Sequence, residues 1–168
     1  DSPFFGLIRR PSDPDGKKGV VTDSALIKVA EHSLKNYGAL ALHKGAGRGA
    51  SDVNAMYETM RDYWTAVRDT FPEAWGLPPT ESRLMHSAGI QAMGVLMDRL
   101  VQRIERDQDF QKNIQIALER IKSDCAWTEG QWPGLGMEWN EFQNIAKHIR
   151  ILAEHLVQLE YAASRGDG

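Results

Sequence analysis

Hydrophobic residues recur at helical spacing over most of this chain. The clearest stretch follows Ser51 and Asp52, either of which can cap a helix, and it ends before Pro72. Its apolar positions recur every three or four residues, and they are Val53, Met56, Tyr57, Met60, Tyr63, Trp64, Val67 and Phe71. We therefore expect a long amphipathic helix here, the second in the chain.

The same spacing predicts a first helix, capped by Thr22 or Asp23, and a fourth helix over about 109–123. The apolar face of the first helix is predicted to comprise Leu26, Ile27, Ala30, Leu34 and Tyr37. That of the fourth comprises Phe110, Ile114, Ala117, Leu118 and Ile121.

A third and a fifth helix complete the predicted set. Thr80 is predicted to cap a third helix that runs to about Arg106, and its first half is apolar on nearly all sides, as expected of a central, surrounded helix. Gly89 and Gly94 each cost such a helix about 1 kcal/mol relative to Ala, which predicts close approach by neighbouring elements. The fifth helix is predicted to begin at Asn140 as its cap and to run to about 163.

Five helices with almost no alternation of period two predict an all-α fold, a helical bundle around a central apolar helix. We expect residues 1–22 to form a short extended and turn segment, residues 23–163 to form the bundle, and 1–168 to be one domain. Hydrophobic residues make up 42% and charged residues 26%, as in ordinary globular proteins. The single cysteine, Cys125, excludes an internal disulfide and a cysteine-rich zinc module.

Charge is unevenly distributed. The chain has 20 Lys and Arg against 23 Asp and Glu, which argues against non-specific DNA coating, but residues 1–50 hold eight basic and five acidic residues. Only this third is predicted to offer phosphate or DNA contacts, through Arg9, Arg10, Lys17, Lys18, Lys44 and Arg48. The glycine-rich run 43–51 lacks the Lys-Ser/Thr pair of a phosphate loop, so a linker is the favoured interpretation.

Other classes of site find little support in the residue pattern. The five histidines are not spaced as zinc ligands, and we expect neither a metal nor a cofactor. Cys125 follows Asp124, which disfavours a reactive thiolate. The most apolar stretch, 84–97, is shorter than the roughly 20 residues that span a bilayer, so we expect no membrane segment and a cytoplasmic protein.

Arg83 and His86 lie three residues apart at the start of the predicted third helix and so share one surface. They are candidates for a ligand-facing or partner-facing pair. The alternative, which we favour, is a structural ion pair of Arg83 with Glu73, Glu81 or a carboxylate from elsewhere in the chain, beside a hydrogen-bonded core histidine.

Three tryptophans, Trp127, Trp132 and Trp139, fall within 13 residues, and the first two lie in a glycine-rich loop predicted over 126–137. They are capable of stacking on bases, but no Lys or Arg lies between 122 and 147 to support nucleic-acid binding. We favour aromatic side chains that seal one end of the bundle. Trp132, Trp139 and Asn140 stay on the set of candidate ligand-facing or partner-facing residues, although a capping role suffices for Asn140.

Three blocks of this sequence resemble a known family. They are Ser2-Pro3-Phe4-Phe5-Gly6-Leu7-Ile8; Phe71-Pro72-Glu73-Ala74-Trp75-Gly76 followed by 81–90; and the block from Trp132-Pro133-Gly134-Leu135-Gly136 to Asn144. Together they resemble the C-terminal half of DGQHR-domain proteins, bacterial proteins related to the DndB-like proteins associated with DNA phosphorothioate modification. The likeness extends over nearly the whole chain.

The resemblance implies a role near DNA modification, its regulation or defence against mobile elements. The naming motif, Asp-Gly-Gln-His-Arg, does not occur in these residues, so no catalytic residue is carried over. The resemblance implies that the motif lies in an N-terminal part of a longer protein, which would be a partner of this domain and the source of DNA contact.

The leading hypothesis is a non-catalytic helical scaffold or interaction domain of a DGQHR-type protein. An alternative is an enzyme domain that binds a nucleotide or modified base in a pocket beside Arg83 and His86. A third is a homo-oligomeric helical module, which an exposed apolar strip on the second or fifth helix would indicate.

Overall fold

The computed structural model describes residues 1–14, 19–35, 37–45 and 49–166. Five helices make up about half of these residues: α1 (Asp23–Ser33), α2 (Val53–Thr70), α3 (Ser87–Arg103), α4 (Phe110–Ile121) and α5 (Ala146–Gly166). Single 3-10 turns occur at Ala41–His43 and Lys122–Asp124. The predicted predominance of helix is confirmed.

Two pairs of very short strands keep the fold from being purely helical. β1 (Ile8–Arg9) pairs in parallel with β2 (Val21–Thr22), which leads directly into α1. β3 (Gln131–Trp132) and β4 (Met137–Glu138) form an antiparallel hairpin between α4 and α5. The hairpin holds the tryptophan-rich loop in a defined shape.

The helices form two layers, with α1, α3 and α5 in one and α2 and α4 in the other. Within the first layer the helices run in the same direction. Gln91 on α3 meets Asn144 just before α5 at one end, and Arg103 pairs with Glu160 at the other. α2 runs in the opposite direction, because Asp62 in its middle pairs with Arg106 just beyond α3, whereas Phe71 at its end meets Trp127 near the start of α3.

The central position of α3 is confirmed. It packs between α1 and α5, Tyr63 of α2 donates to its Met93 carbonyl, and even Asp98 is only 6% exposed. The predicted close approach also occurs, because a Cβ at Gly94 would lie 2.9 Å from both Val29 methyl groups and one at Gly89 would lie 1.8 Å from the Arg83 carbonyl oxygen. Glycine at these two positions permits α3 to sit at the centre.

The predicted start of α3 at Thr80 is wrong, because the helix begins at Ser87. The N–H groups of Glu81 and Ser82 donate to the Pro78 carbonyl in a turn, and that of Arg83 donates to the distant Trp127 carbonyl. The backbone before 87 is therefore bonded outside any helix.

The predicted start of α5 at Asn140 is also wrong, because this helix begins at Ala146. Phe142 is fully buried and anchors the loop instead of opening the helix. The Gln143 N–H donates to His148 Nδ1 at 2.9 Å, so a histidine from the first turn of α5 satisfies a backbone N–H that a cap at Asn140 was expected to satisfy.

The predicted apolar face of α1 is rotated from the observed one. Ala25, Val29 and Ser33 are buried, whereas Ile27 is 53% exposed and Tyr37, beyond the helix, is 82% exposed. Val29 occupies the space that Gly94 leaves on α3, since a Cβ there would lie 2.9 Å from both Val29 methyl groups. The face that α1 buries is therefore the one that meets α3 and not the most hydrophobic one.

The apolar stripe of α2 is buried only along its C-terminal half. Tyr63, Trp64 and Val67 are fully buried, but Val53 is 69% and Tyr57 is 52% exposed. Over the parts of the chain that the structure describes, no helix combines the length and apolarity that crossing a bilayer requires.

Candidate functional site

The tryptophan junction, as we call Arg83, Trp127, Trp132, Trp139 and Asn140, lies where the β3–β4 hairpin packs against the chain entering α3. The rings of Trp127 and Trp132 meet edge to face, with centroids 4.9 Å apart and planes at 84°. Both side chains are almost completely buried. The geometry is that of packed aromatics, because an edge-to-face pair directs the positive ring edge at a negative ring face.

Arg83 joins two loops of this junction. Its Nη1 donates to the Pro79 carbonyl at 2.5 Å and its Nη2 donates to the Asn140 carbonyl at 2.8 Å. The guanidinium also lies 5.9 Å from the centre of the Trp139 ring. Partial burial lowers the pKa of Arg83 from its ordinary value, since desolvation disfavours the charged form.

The predicted ion pair of Arg83 with Glu73 or Glu81 is wrong. Glu73 lies 3.7 Å from Lys122, and Glu81 is an exposed loop residue. Arg83 meets carbonyl oxygens instead because the loops around it present unpaired backbone acceptors. Asn140 contributes its backbone carbonyl to this contact.

His86 is the N-terminal cap of α3. Its Nδ1 accepts a hydrogen bond from the Ala88 N–H at 3.1 Å, which requires an unprotonated Nδ1. Burial, and then the charge of Arg83, lower the pKa of His86. The favoured hydrogen-bonded core histidine thus has a definite task, which is to satisfy the first turn of the central helix.

Several buried polar atoms in and beside the junction make no hydrogen bond within the described residues: Ser82 Oγ, Arg83 Nε, Trp127 Nε1, Trp132 Nε1 and His155 Nε2. The ring of His155 meets Trp132 edge to face at 6.0 Å. Burial lowers the pKa of His155, and Asp124 partly opposes the shift. The neutral imidazole is thus another member of the aromatic packing.

Cys125 is no nucleophile in this environment. Burial and the charge of Asp124 raise the pKa of its thiol, so the thiolate is scarce at neutral pH. Among the residues with described positions, no three or more His, Cys, Asp or Glu side chains converge as metal ligands would.

The candidate basic patch is only partly described. Arg9 and Arg10 are exposed, whereas Lys44 donates from Nζ to the Leu34 carbonyl at 3.1 Å. Lys17, Lys18 and Arg48 lie outside the described residues. Among the rest, no contact joins Lys44 to Arg9 or Arg10.

Sequence reasoning missed an open groove on the outside of α3, between α1 and α5. We call it the α3 trough. Its volume is about 530 Å³, and its apolar lining consists of Val95 from α3 with Ile149, Ala153 and Val157 from α5. His32, Arg99, Arg150 and Glu154 provide ionisable groups around this lining.

His32 stands on the α1 side of the trough and is held by Asp98. Its Nδ1 lies 2.9 Å from Asp98 Oδ2, while Asp98 Oδ1 accepts from Ser33 Oγ at 2.6 Å and from the Ala39 N–H at 2.9 Å. Because an ionised carboxylate only accepts, Nδ1 carries the hydrogen and Nε2 is left for other contacts. One available signal was Asp98 itself, an acid inside the most apolar helix.

Comparison of the chain with protein-family models, with curated proteins and with solved structures finds no match in any of the three. The resemblance to DGQHR-domain proteins therefore stays a prediction from the three sequence blocks.

Proposed function

We propose that this chain is a non-catalytic helical interaction domain of a DGQHR-type protein associated with DNA modification or its regulation. The observation that carries the non-catalytic part is the bonding of Arg83, the leading candidate for a ligand-binding residue. Both terminal nitrogens of its guanidinium donate to backbone carbonyls, at Pro79 and Asn140. The association with DNA modification rests on the three sequence blocks alone.

The exposed surface supports interaction as the function. Apolar side chains remain open in the α3 trough and at the start of α2, where Val53 and Tyr57 are exposed. Contiguous exposed apolar surface rimmed by polar groups is typical of sites that bind other proteins. The two open surfaces therefore suit a domain that receives partners.

The enzyme alternative gains no support from the residues on which it depends. A pocket beside Arg83 and His86 would need their polar atoms to face a ligand, but Arg83 bonds to two loops and His86 Nδ1 caps α3. A substrate would have to displace these bonds.

Fluorescence anisotropy with labelled duplex DNA tests the proposal. We expect only weak, sequence-indifferent binding that disappears as salt rises, because acidic residues outnumber basic ones in this chain and repel the phosphates. Tight, sequence-selective DNA binding by this chain alone would overturn the interaction-domain proposal.

Self-association through α2 is a second candidate. The surface around Val53, Met56 and Tyr57 is apolar and continues onto Leu26 and Ile8. A two-fold interface places the same patch on both subunits, so a neutral apolar patch is self-complementary where a charged groove is not. This surface fits a second copy of the chain.

Sedimentation equilibrium tests the α2 interface. We expect a concentration-dependent dimer that Tyr57→Glu weakens, since a carboxylate would be placed in the contact. Ile116→Glu, at an exposed position of α4, is the matched control and is expected to have no effect. A monomer at all concentrations would remove this candidate.

A further inference from the structure

The α3 trough has the shape of a slot for a helix. Its floor is formed by Val95 of α3 together with the facing side of α5, and α1 forms the opposite wall. The lining extends along α5 from Ala146 to Gln158, which at 1.5 Å per residue is about 18 Å, or roughly three helical turns. A helix about twelve residues long would match this length.

The floor of the trough is apolar and contains no aromatic residue. Val95, Ile149 and Val157 are partly exposed along it, and Ala153 is small enough to let an occupant approach α5 closely. An occupant would bury these side chains with apolar residues of its own, spaced to face one stripe. Such anchors on a helix recur at i, i+3 or i+4, and i+7.

The rim of the trough reverses the charge balance of the chain. The whole chain has three more acidic than basic residues. Around the trough the balance is basic, because Arg99 and Arg150 line it and Lys28 lines the small pocket that adjoins it. Glu154 is the one carboxylate among the lining residues of the trough. Neither Arg99 nor Arg150 has an ion-pair partner within the described residues. Unpaired guanidinium groups beside an apolar floor fit acidic side chains that flank an apolar stripe.

Other peptide conformations fit this site poorly. An extended strand needs a free sheet edge, but the walls here are helices whose backbone groups are already bonded. A polyproline segment needs an aromatic-lined groove, and this lining has none. Duplex DNA would leave the apolar floor without a partner.

We propose that the α3 trough binds an acidic amphipathic helix of a partner protein. The inference rests on the proposed interaction-domain function and names its binding face and the chemistry of its partner. His32 contributes Nε2 at the α1 wall, where Asp98 fixes the orientation of the ring. The helix would lay its apolar stripe on Val95 and α5 and its carboxylates toward Arg99 and Arg150.

Selection of peptides from a displayed library against the whole immobilised chain tests the proposal. We expect enriched sequences with apolar residues at i, i+4 and i+7 and with Asp or Glu on both flanks of that stripe. The double variant Arg99→Glu/Arg150→Glu is expected to weaken their binding by at least about tenfold, because it replaces attraction by repulsion. A peptide with Lys in place of its acids is expected to regain binding to that variant.

Lys112→Glu, on the exposed side of α4, is the control and is expected to leave binding unchanged. A selection that enriches nothing, or that enriches sequences without acidic residues, would overturn the inference. So would peptides that bind the α2 surface, or a change of oligomeric state in the double variant, but these two outcomes would leave the interaction-domain function standing. Tight DNA binding, in contrast, would contradict that function itself.

Discussion

The tryptophan junction and the α3 trough both place arginine beside apolar side chains, yet they use it in opposite ways. In the junction, Arg83 donates to two backbone carbonyls and its neighbours Trp127 and Trp132 are buried. In the trough, Arg99 and Arg150 are exposed and lack described ion-pair partners. The comparison teaches that residue type alone does not mark a binding site. What matters is whether the terminal donors of a side chain, such as Nη1 and Nη2 of Arg83, are already bonded within the chain.

Trp132→Ala should give the largest effect, because it removes a nearly fully buried ring from the junction. Truncation of such a ring typically costs about 3–5 kcal/mol of unfolding free energy, measured by urea denaturation. Trp132→Phe should cost much less, since Trp132 Nε1 makes no hydrogen bond within the described residues. A loss below about 1 kcal/mol for Trp132→Ala would show that the junction is not a packed core.

Arg83→Ala should destabilise the chain by about 1–3 kcal/mol, because it leaves the Pro79 and Asn140 carbonyls without their donor. Arg83→Lys should rescue little of this loss, since one ammonium lacks the planar fork that reaches both oxygens. Denaturation of both variants beside Lys112→Ala as control gives the comparison. Unchanged stability in Arg83→Ala would instead indicate a residue kept for a ligand.

The sequence predicts the buried face of α4 and the burial of α3. For α4 the expected stripe from Phe110 to Ile121 is the buried one. For α3, the central position follows from apolar residues on all sides, but its start does not. The backbone of Arg83 bonds to Trp127, a contact between distant parts of the chain that no local pattern encodes.

The α3 trough was not predictable for a related reason. Its lining comes from α1, α3 and α5, and each helix taken alone shows only an ordinary half-exposed border. Which borders meet depends on the order of helices within a layer, and that order depends on contacts such as Gly94 against Val29. The candidate residues of the junction, in contrast, form sets that are visible in the sequence, because Arg83 lies three residues before His86 and Trp132 lies between Trp127 and Trp139.

Acidification should destabilise the fold through two histidines that lie beside the junction, His86 and His155. The pKa of His86 is lowered from its ordinary value of 6.5 in the folded chain, so the unfolded chain takes up its proton first as the pH falls. Its contribution to stability is therefore present above about pH 6.5 and is lost as the pH falls through the lower, folded pKa. His155 shifts in the same direction and adds to the loss.

His86→Asn checks this assignment, because Asn can cap α3 without titrating. The unfolding free energy of this variant, measured from pH 8 to pH 5, should fall less steeply than that of the unmodified chain, with the cap itself worth about 1 kcal/mol. His86→Ala should lose the cap at every pH. An identical slope for His86→Asn and the unmodified chain would assign the acid sensitivity to other groups.

The smallest effect on the unfolding free energy is expected from substitutions in the trough. A small effect there would contrast with the large one expected in the junction. Arg99→Gln and Arg150→Gln should each change the unfolding free energy by no more than about 0.5 kcal/mol, because neither guanidinium has a described ion-pair partner to lose. Since both substitutions remove a cation from the same rim, any like-charge repulsion would be relieved and stability would rise slightly. A loss above about 1 kcal/mol in either variant would mean that the arginine supports the fold as Arg83 does, and the trough would then be part of the scaffold and not a surface open to a partner.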